Sequence, residues 1–252
     1  MRVPLLVANW KMYKTSREAL AFVREFEPLV SDLAVEIVLA PPFTSISAVA
    51  DLTGPTRISV AAQNLFYERE GAFTGEVSAM MIKDAGAEWV IVGHSERRRE
   101  FGETDVWVNR KTRSALASGL VPIVCIGETL TERDQGQTLD VLDRQLRDGL
   151  EGLSGDQIAG LVIAYEPVWA IGTGKNATPA EADEAHRHIR SRIRQGFGGA
   201  AGDQIRILYG GSVKPDNARG LLSLPDVDGA LVGGASLDPR GFSQIVRSAV
   251  RE

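Results

Sequence analysis

Eight short runs of nearly continuous apolar residues recur along the chain: Leu5–Ala8, Ile37–Ala40, Ile58–Ala62, Trp89–Val92, Val121–Ile126, Leu161–Tyr165, Ile205–Tyr209 and Ala230–Val232. Strict alternation would mark strands with one wet face. Unbroken runs suit strands of a parallel sheet that is buried on both faces. A helical pattern follows most of them. Ala19, Phe22, Val23 and Phe26 stand at i, i+3, i+4 and i+7 behind the Thr15-x-x-Glu18 capping box. Leu139, Leu142, Leu146 and Leu150 form a second stripe, and Phe242, Ile245, Val246 and Ala249 a last one. Thr178-Pro179-Ala180-Glu181 joins a capping box to a proline at the first helical position, so a helix begins there. Eight such units in 252 residues average about 31 residues each. The pattern predicts an α/β fold, a single (β/α)8 barrel domain of eight parallel strands over residues 1–252, closed so that no strand is left at an edge. An open doubly wound sheet is the competitor. It calls for a Gly-rich dinucleotide fingerprint after the first strand, and Ala8-Asn9-Trp10-Lys11-Met12 is not one.

In a barrel of this kind the reacting groups lie at the carboxyl ends of the strands. After the first run come Asn9 and Lys11, two apart and on one face if the strand continues. After the fourth comes Gly93-His94-Ser95-Glu96, and directly behind the sixth stands Glu166. The seventh and eighth are followed by Gly210-Gly211-Ser212 and Gly233-Gly234-Ala235-Ser236. Taken singly, each has a bland reading as a cap, a solvated side chain, a structural histidine or a tight turn. Together they place Asn, Lys, His, Glu and two Gly-Gly turns at one end of the barrel. Glycines let backbone N–H groups approach a phosphate, and a following helix N-terminus adds a favourable dipole. The connection Pro167-Val168-Trp169-Ala170-Ile171-Gly172-Thr173-Gly174-Lys175-Asn176-Ala177 is apolar in its middle. A lid that closes on a ligand and expels water has that character. A loop buried by packing or by an oligomer contact is the second reading.

Charge and cysteine content narrow the classes. Twenty-eight Lys and Arg against 33 Asp and Glu leave a net charge of −5, which argues against a nucleic-acid partner. No apolar stretch approaches the ~20 residues of a membrane span. The lone Cys125 excludes an intrachain disulfide, and three histidines with no further cysteine offer no zinc-type cluster. The cytoplasm is the expected compartment. Cys125 sits inside an apolar run and reads as a core residue rather than a nucleophile. His186 and His188 read as ordinary surface or partly buried groups of the sixth helix.

Several segments now coincide with a known family. Asn9-Trp10-Lys11-Met12, Val92-Gly93-His94-Ser95-Glu96-Arg97-Arg98, Cys125-Ile126-Gly127-Glu128, Ala164 through Lys175, Tyr209-Gly210-Gly211-Ser212-Val213 and Leu231 through Leu237 make the chain resemble the triosephosphate isomerases over nearly its full length. The resemblance implies a TIM barrel and an aldose–ketose isomerase without a cofactor. Its reaction would interconvert dihydroxyacetone phosphate and D-glyceraldehyde 3-phosphate through an enediolate, in glycolysis and gluconeogenesis. Carried over by position, Glu166 is the base, His94 the electrophile, and Lys11 and Asn9 stabilise the enediolate. Asn9, Lys11, Gly172, Ser212, Gly233 and Gly234 bind substrate, with Ser95 and Glu96 in support. Asn176 stands where the family commonly has threonine. The segment from Gln63 to Glu76 resembles the loop that the family inserts into a neighbouring subunit, which implies a homodimer through Phe66–Glu76. A helix N-terminus aimed at His94 should keep its imidazole neutral, and lid closure should raise the pKa of Glu166.

Two competing readings remain. A barrel acting on a larger sugar phosphate fits poorly with so short a lid. A binding or scaffold protein fits poorly with Asn9, Lys11, His94 and Glu166 present together.

Overall fold

The computed structural model describes residues 2–171 and 177–250. Eight strands pair in sequence order and close: β1 (Leu5–Asn9), β2 (Glu36–Ala40), β3 (Ile58–Ala62), β4 (Trp89–Val92), β5 (Val121–Ile126), β6 (Val162–Tyr165), β7 (Arg206–Tyr209) and β8 (Gly229–Val232). All pairings are parallel, and β1 bonds to β8 with Leu5 opposite Gly229. The expected closed barrel of eight parallel strands is what forms. Strand limits differ from the apolar runs by one residue in five places. Asn9, Glu36 and Gly229 join the ladder, while Leu161 and Ile205 precede it. Polar residues pair as well as apolar ones where the backbone is already held in register.

The runs are continuous because both strand faces are covered. Leu5, Val7, Val38, Ala61, Ile91, Cys125, Ala164 and Leu208 fill the barrel interior. Leu6, Ala8, Ile37, Leu39, Val90, Val124, Ile163 and Ile207 point outward into a larger shell shared with the helices. Cys125 is fully buried, as a core residue. The helices start where their caps stand. Thr15 closes its capping box on Glu18 ahead of Ser16–Phe26, and Thr178 does the same with Glu181 ahead of Pro179–Phe197. Phe22, Val23 and Phe26 face inward from the first of these. The helix Thr138–Gly149 presents Val141, Leu142 and Leu146, with Leu150 just past its end.

The units are not equal. β4 is followed by two helices, Ser95–Phe101 and Asp105–Ala117. Between β3 and β4 only Ala79–Asp84 is helical, because the preceding residues form the loop predicted from Gln63 onward. In that loop Phe66 is buried and stacks on Tyr67 and Phe73, with ring centroids 4.2 and 4.6 Å away. Phe73 stays 42% exposed. One expectation is corrected: His186 is neither at the surface nor partly buried but fully enclosed. Its Nδ1 lies 3.1 Å from the Asp226 carbonyl oxygen, and its ring is packed edge-on to Tyr165. His188 is partly exposed beside Asp143.

Among the described residues no helix is long and apolar enough to cross a membrane.

Candidate active site at the carboxyl rim

Asn9 ends β1, and the chain then turns sharply. Lys11 takes a φ of 50°, in a left-handed region that side chains rarely occupy. Asn9 and Lys11 therefore do not share a strand face as their spacing predicted, since the strand stops at Asn9. The two converge by another route. Lys11 N donates to Asn9 Oδ1 at 3.0 Å, and Gln63 Nε2 holds the Lys11 carbonyl at 2.9 Å and that of Ala40 at 2.8 Å. Trp10, fully buried edge-on to Phe22, anchors the turn from beneath. Strain held by such surroundings is common where a side chain must be aimed.

His94 is aimed by Gly93 and by the helix it starts. Gly93 has a φ of 71°, and an added Cβ would lie 2.6 Å from Val108, so only glycine makes this bend. His94 is the N-cap of Ser95–Phe101, with its Nδ1 accepting the Glu96 N–H at 3.2 Å. That N–H favours an unprotonated Nδ1 and leaves Nε2 facing the cavity side. Arg98 locks the bend by donating to the carbonyls of Gly93 and Cys125.

Glu166 follows β6 and is 2% exposed. Its Oε2 accepts the Ser95 N–H at 2.8 Å, and its Oε1 lies 2.9 Å from His94 Nε2 without an aligned hydrogen bond. Gly210 is needed beside it, because a Cβ there would stand 2.9 Å from Glu166 Cγ and 3.1 Å from the Tyr165 carbonyl. Lys11 Nζ pairs with Glu96 Oε1 at 2.7 Å, and Glu96 Oε2 lies 3.6 Å from His94 Nδ1.

These contacts set the titration. Burial acts to raise Glu166, but His94 beside it and the Ser95 N–H more than offset that, so its pKa lies below the ordinary carboxylate value. The expected rise does not occur in this conformation, because the carboxylate rests on donors instead of facing an emptied pocket. For His94, burial lowers the pKa and the Glu166 carboxylate raises it, with a net rise. Burial, followed by the same carboxylate, pushes the Cys125 thiol well up, so it stays neutral.

An open cavity of about 870 Å³ gathers these groups. Asn9, Lys11, His94, Glu96, Glu166, Ser212, Gly233 and Gly234 all line it. Ser95 reaches the site only through its N–H on Glu166. Of the lid residues, Val168–Ala170 form a short 3-10 turn and Ile171 lines the cavity. Buried Glu128 pins this end: it accepts from Trp169 Nε1 at 2.8 Å and from the Tyr165 hydroxyl at 3.1 Å. Gly172, Thr173, Gly174, Lys175 and Asn176 lie outside the described residues. Gly210 and Leu231, from the two segments that follow β7 and make up β8, line the cavity as well, and so does Lys214, which no motif had marked. Lys214 stands two residues beyond Ser212 in the same turn, which was the available signal. Among the described residues no group of three or more His, Cys, Asp or Glu side chains is placed to hold a metal ion.

A carboxylate and an imidazole in contact, with a lysine beside them and glycine-rich turns across the cavity, make this a (β/α)8 barrel equipped for proton transfer on a small anionic molecule. The comparisons give the family. The triosephosphate isomerase family model matches residues 4–249. A triosephosphate isomerase of Citrifermentans bemidjiense is 59% identical over 248 residues, covering 98% of this chain and 99% of the relative. One from Trichlorobacter lovleyi is 53% identical with the same coverage. The crystal structure of triosephosphate isomerase from Bartonella henselae superposes with a TM-score of 0.90 at 40% identity, covering both chains completely. The chain belongs to the triosephosphate isomerase family.

Proposed function

We propose that this chain interconverts dihydroxyacetone phosphate and D-glyceraldehyde 3-phosphate by moving one proton between adjacent carbons. The observation that carries the reading is the convergence of Glu166, His94 and Lys11 on one rim cavity. A proton next to a carbonyl is weakly acidic, so the charge that develops on oxygen needs support. Glu166 takes the proton from carbon and returns it to the neighbouring carbon. His94 Nε2–H donates to the oxygens, and Lys11 and Asn9 stabilise the enediolate. Ser212, Gly233 and Gly234, with Gly172, receive the phosphate.

Catalysis requires Glu166 to leave Ser95 and His94 and turn toward the substrate. Leaving removes two influences that lower its pKa, so the carboxylate becomes a stronger base in its working position. The same step withdraws from His94 the carboxylate that raises its pKa, which favours the neutral imidazole. Segment Pro167–Ala177 acts as the lid, with its Trp169 end held by Glu128. Phosphate binding supplies interaction energy away from the reacting carbons that can hold the lid closed. Closure limits loss of phosphate from the intermediate.

A coupled assay should find turnover of D-glyceraldehyde 3-phosphate far above that of five-carbon sugar phosphates. Comparable turnover of the larger compounds would overturn the assignment.

A homodimer through Phe66–Glu76 is part of the same reading. Exposed Phe73, Met12 (95% exposed) and Tyr13 (58% exposed) are apolar surface of the kind that association buries. Analytical ultracentrifugation should show a species of twice 27.2 kDa at micromolar concentration. A 27 kDa species alone would exclude the dimer.

A further inference from the structure

The substrate class proposed above is dianionic, yet the chain carries a net charge of −5. Two lysines and two glutamates line the cavity among the described residues: Lys11, Lys214, Glu96 and Glu166. Lys11 is taken by Glu96 at 2.7 Å, and Glu166 rests on His94. Lys214 makes no ion pair among the described residues, and its side chain is exposed at the mouth. Without it, the described lining would carry two carboxylates against one lysine, and a dianion would meet a net negative mouth.

The backbone under Lys214 is fixed. Asn217 Oδ1 accepts the Lys214 N–H at 2.8 Å, and Asn217 Nδ2 donates to the Ser212 carbonyl at 3.0 Å. Ser212 and Lys214 are thereby carried on one clamped turn, the first facing the cavity and the second guarding its opening.

We propose that Lys214 is a substrate-recruiting residue: an unpaired cation that draws the phosphate dianion toward the Ser212 turn and sets the encounter rate without touching the reacting carbons. This rests on the isomerase reading and adds a residue to it. A unit charge about 10 Å from a dianion in water changes its local concentration about fourfold, and charge reversal squares that factor. Exposed charges at such a distance are screened by salt at a few tenths molar.

The test is steady-state kinetics of the full-length protein at about 0.02 M and about 0.3 M ionic strength. At low salt, where screening over about 10 Å is partial, Lys214→Ala should lower kcat/KM for D-glyceraldehyde 3-phosphate about 2.5-fold and Lys214→Glu about sixfold, with kcat unchanged. Lys214→Arg should match the parent. At high salt the differences should shrink below twofold. Unphosphorylated D-glyceraldehyde, which has no charge to attract, should be turned over equally by all four proteins. A Lys214→Glu protein within 1.5-fold of the parent at low salt (roughly the scatter of such measurements) overturns the proposal. So does a deficit that salt leaves unchanged, which would mean a direct contact. A parent protein that does not isomerise D-glyceraldehyde 3-phosphate overturns the isomerase reading instead.

Discussion

Two buried charge clusters sit at opposite ends of the same barrel, and they are built differently. At the amino end, Asp228 is fully enclosed and every oxygen is engaged. Its Oδ1 accepts from Arg2 Nε at 2.6 Å, and its Oδ2 from Arg190 at 2.6 Å and from the Ile207 N–H at 2.9 Å. Arg190 spends its remaining donors on Asp226 and on the carbonyls of Gly202 and Ile205. At the carboxyl end, Glu166 is as deeply buried, yet Oε1 has no aligned hydrogen bond and its neighbour is a histidine that can change its proton. Nearby, Lys11 holds a positive φ. The first cluster ties β1, β7 and β8 to a helix; the second leaves its carboxylate able to depart. A buried charge with all partners in place costs much to disturb, whereas one left partly satisfied is free to do chemistry.

The contrast can be broken by exchanging damage between the ends. Glu166→Gln should lower kcat by about 10³-fold or more while leaving the urea midpoint nearly unchanged. A loss under tenfold would remove Glu166 from its role. Asp228→Ala should do the reverse. With Arg2 and Arg190 left facing an empty place, chemical unfolding should report a loss of about 3–5 kcal/mol, while the folded fraction keeps its kcat within a few-fold. If Asp228→Ala abolished turnover in a protein of unchanged stability, the division of labour between the ends would be wrong.

A smaller effect concerns His186, which leans on the Asp226 carbonyl at the amino-end cluster. Burial brings its pKa down to about 4. The unfolded chain therefore binds this proton first as pH falls. Stability from the neutral ring is complete above about pH 6.5, declines below it, and is lost by about pH 4, a change of about 3 kcal/mol. Urea titrations of the parent and of His186→Gln should differ in slope over that window and run parallel above pH 7. Identical slopes would show that His186 is protonated without resistance.

Much of this molecule was legible in the chain. The eight apolar runs announced a sheet covered on both faces, and Thr15 and Thr178 announced two helix starts. The residues after the runs announced a rim carrying Asn9, His94, Glu166, Ser212 and Gly233. Other parts were not legible, for reasons that can be named. The approach of Lys11 depends on a left-handed turn that Gln63, 52 positions away, holds by its carbonyl. Enclosure of His186 depends on Tyr165 and Tyr209, whose rings reach it from two neighbouring strands.

Local rules, namely which faces are apolar, where caps stand and where glycine is required, are written in neighbouring residues, so the sequence by itself determined the barrel, its element order and the end at which chemistry gathers. Pairing across the barrel was decided only by the tertiary structure. The contact of Glu166 with His94, the partnership of Lys11 with Glu96 and the resulting directions of their pKa values depend on distances of a few ångströms between residues 70 to 85 positions apart. Electrostatic interactions and hydrogen bonds fall off within those ångströms, and no spacing along the chain encodes them.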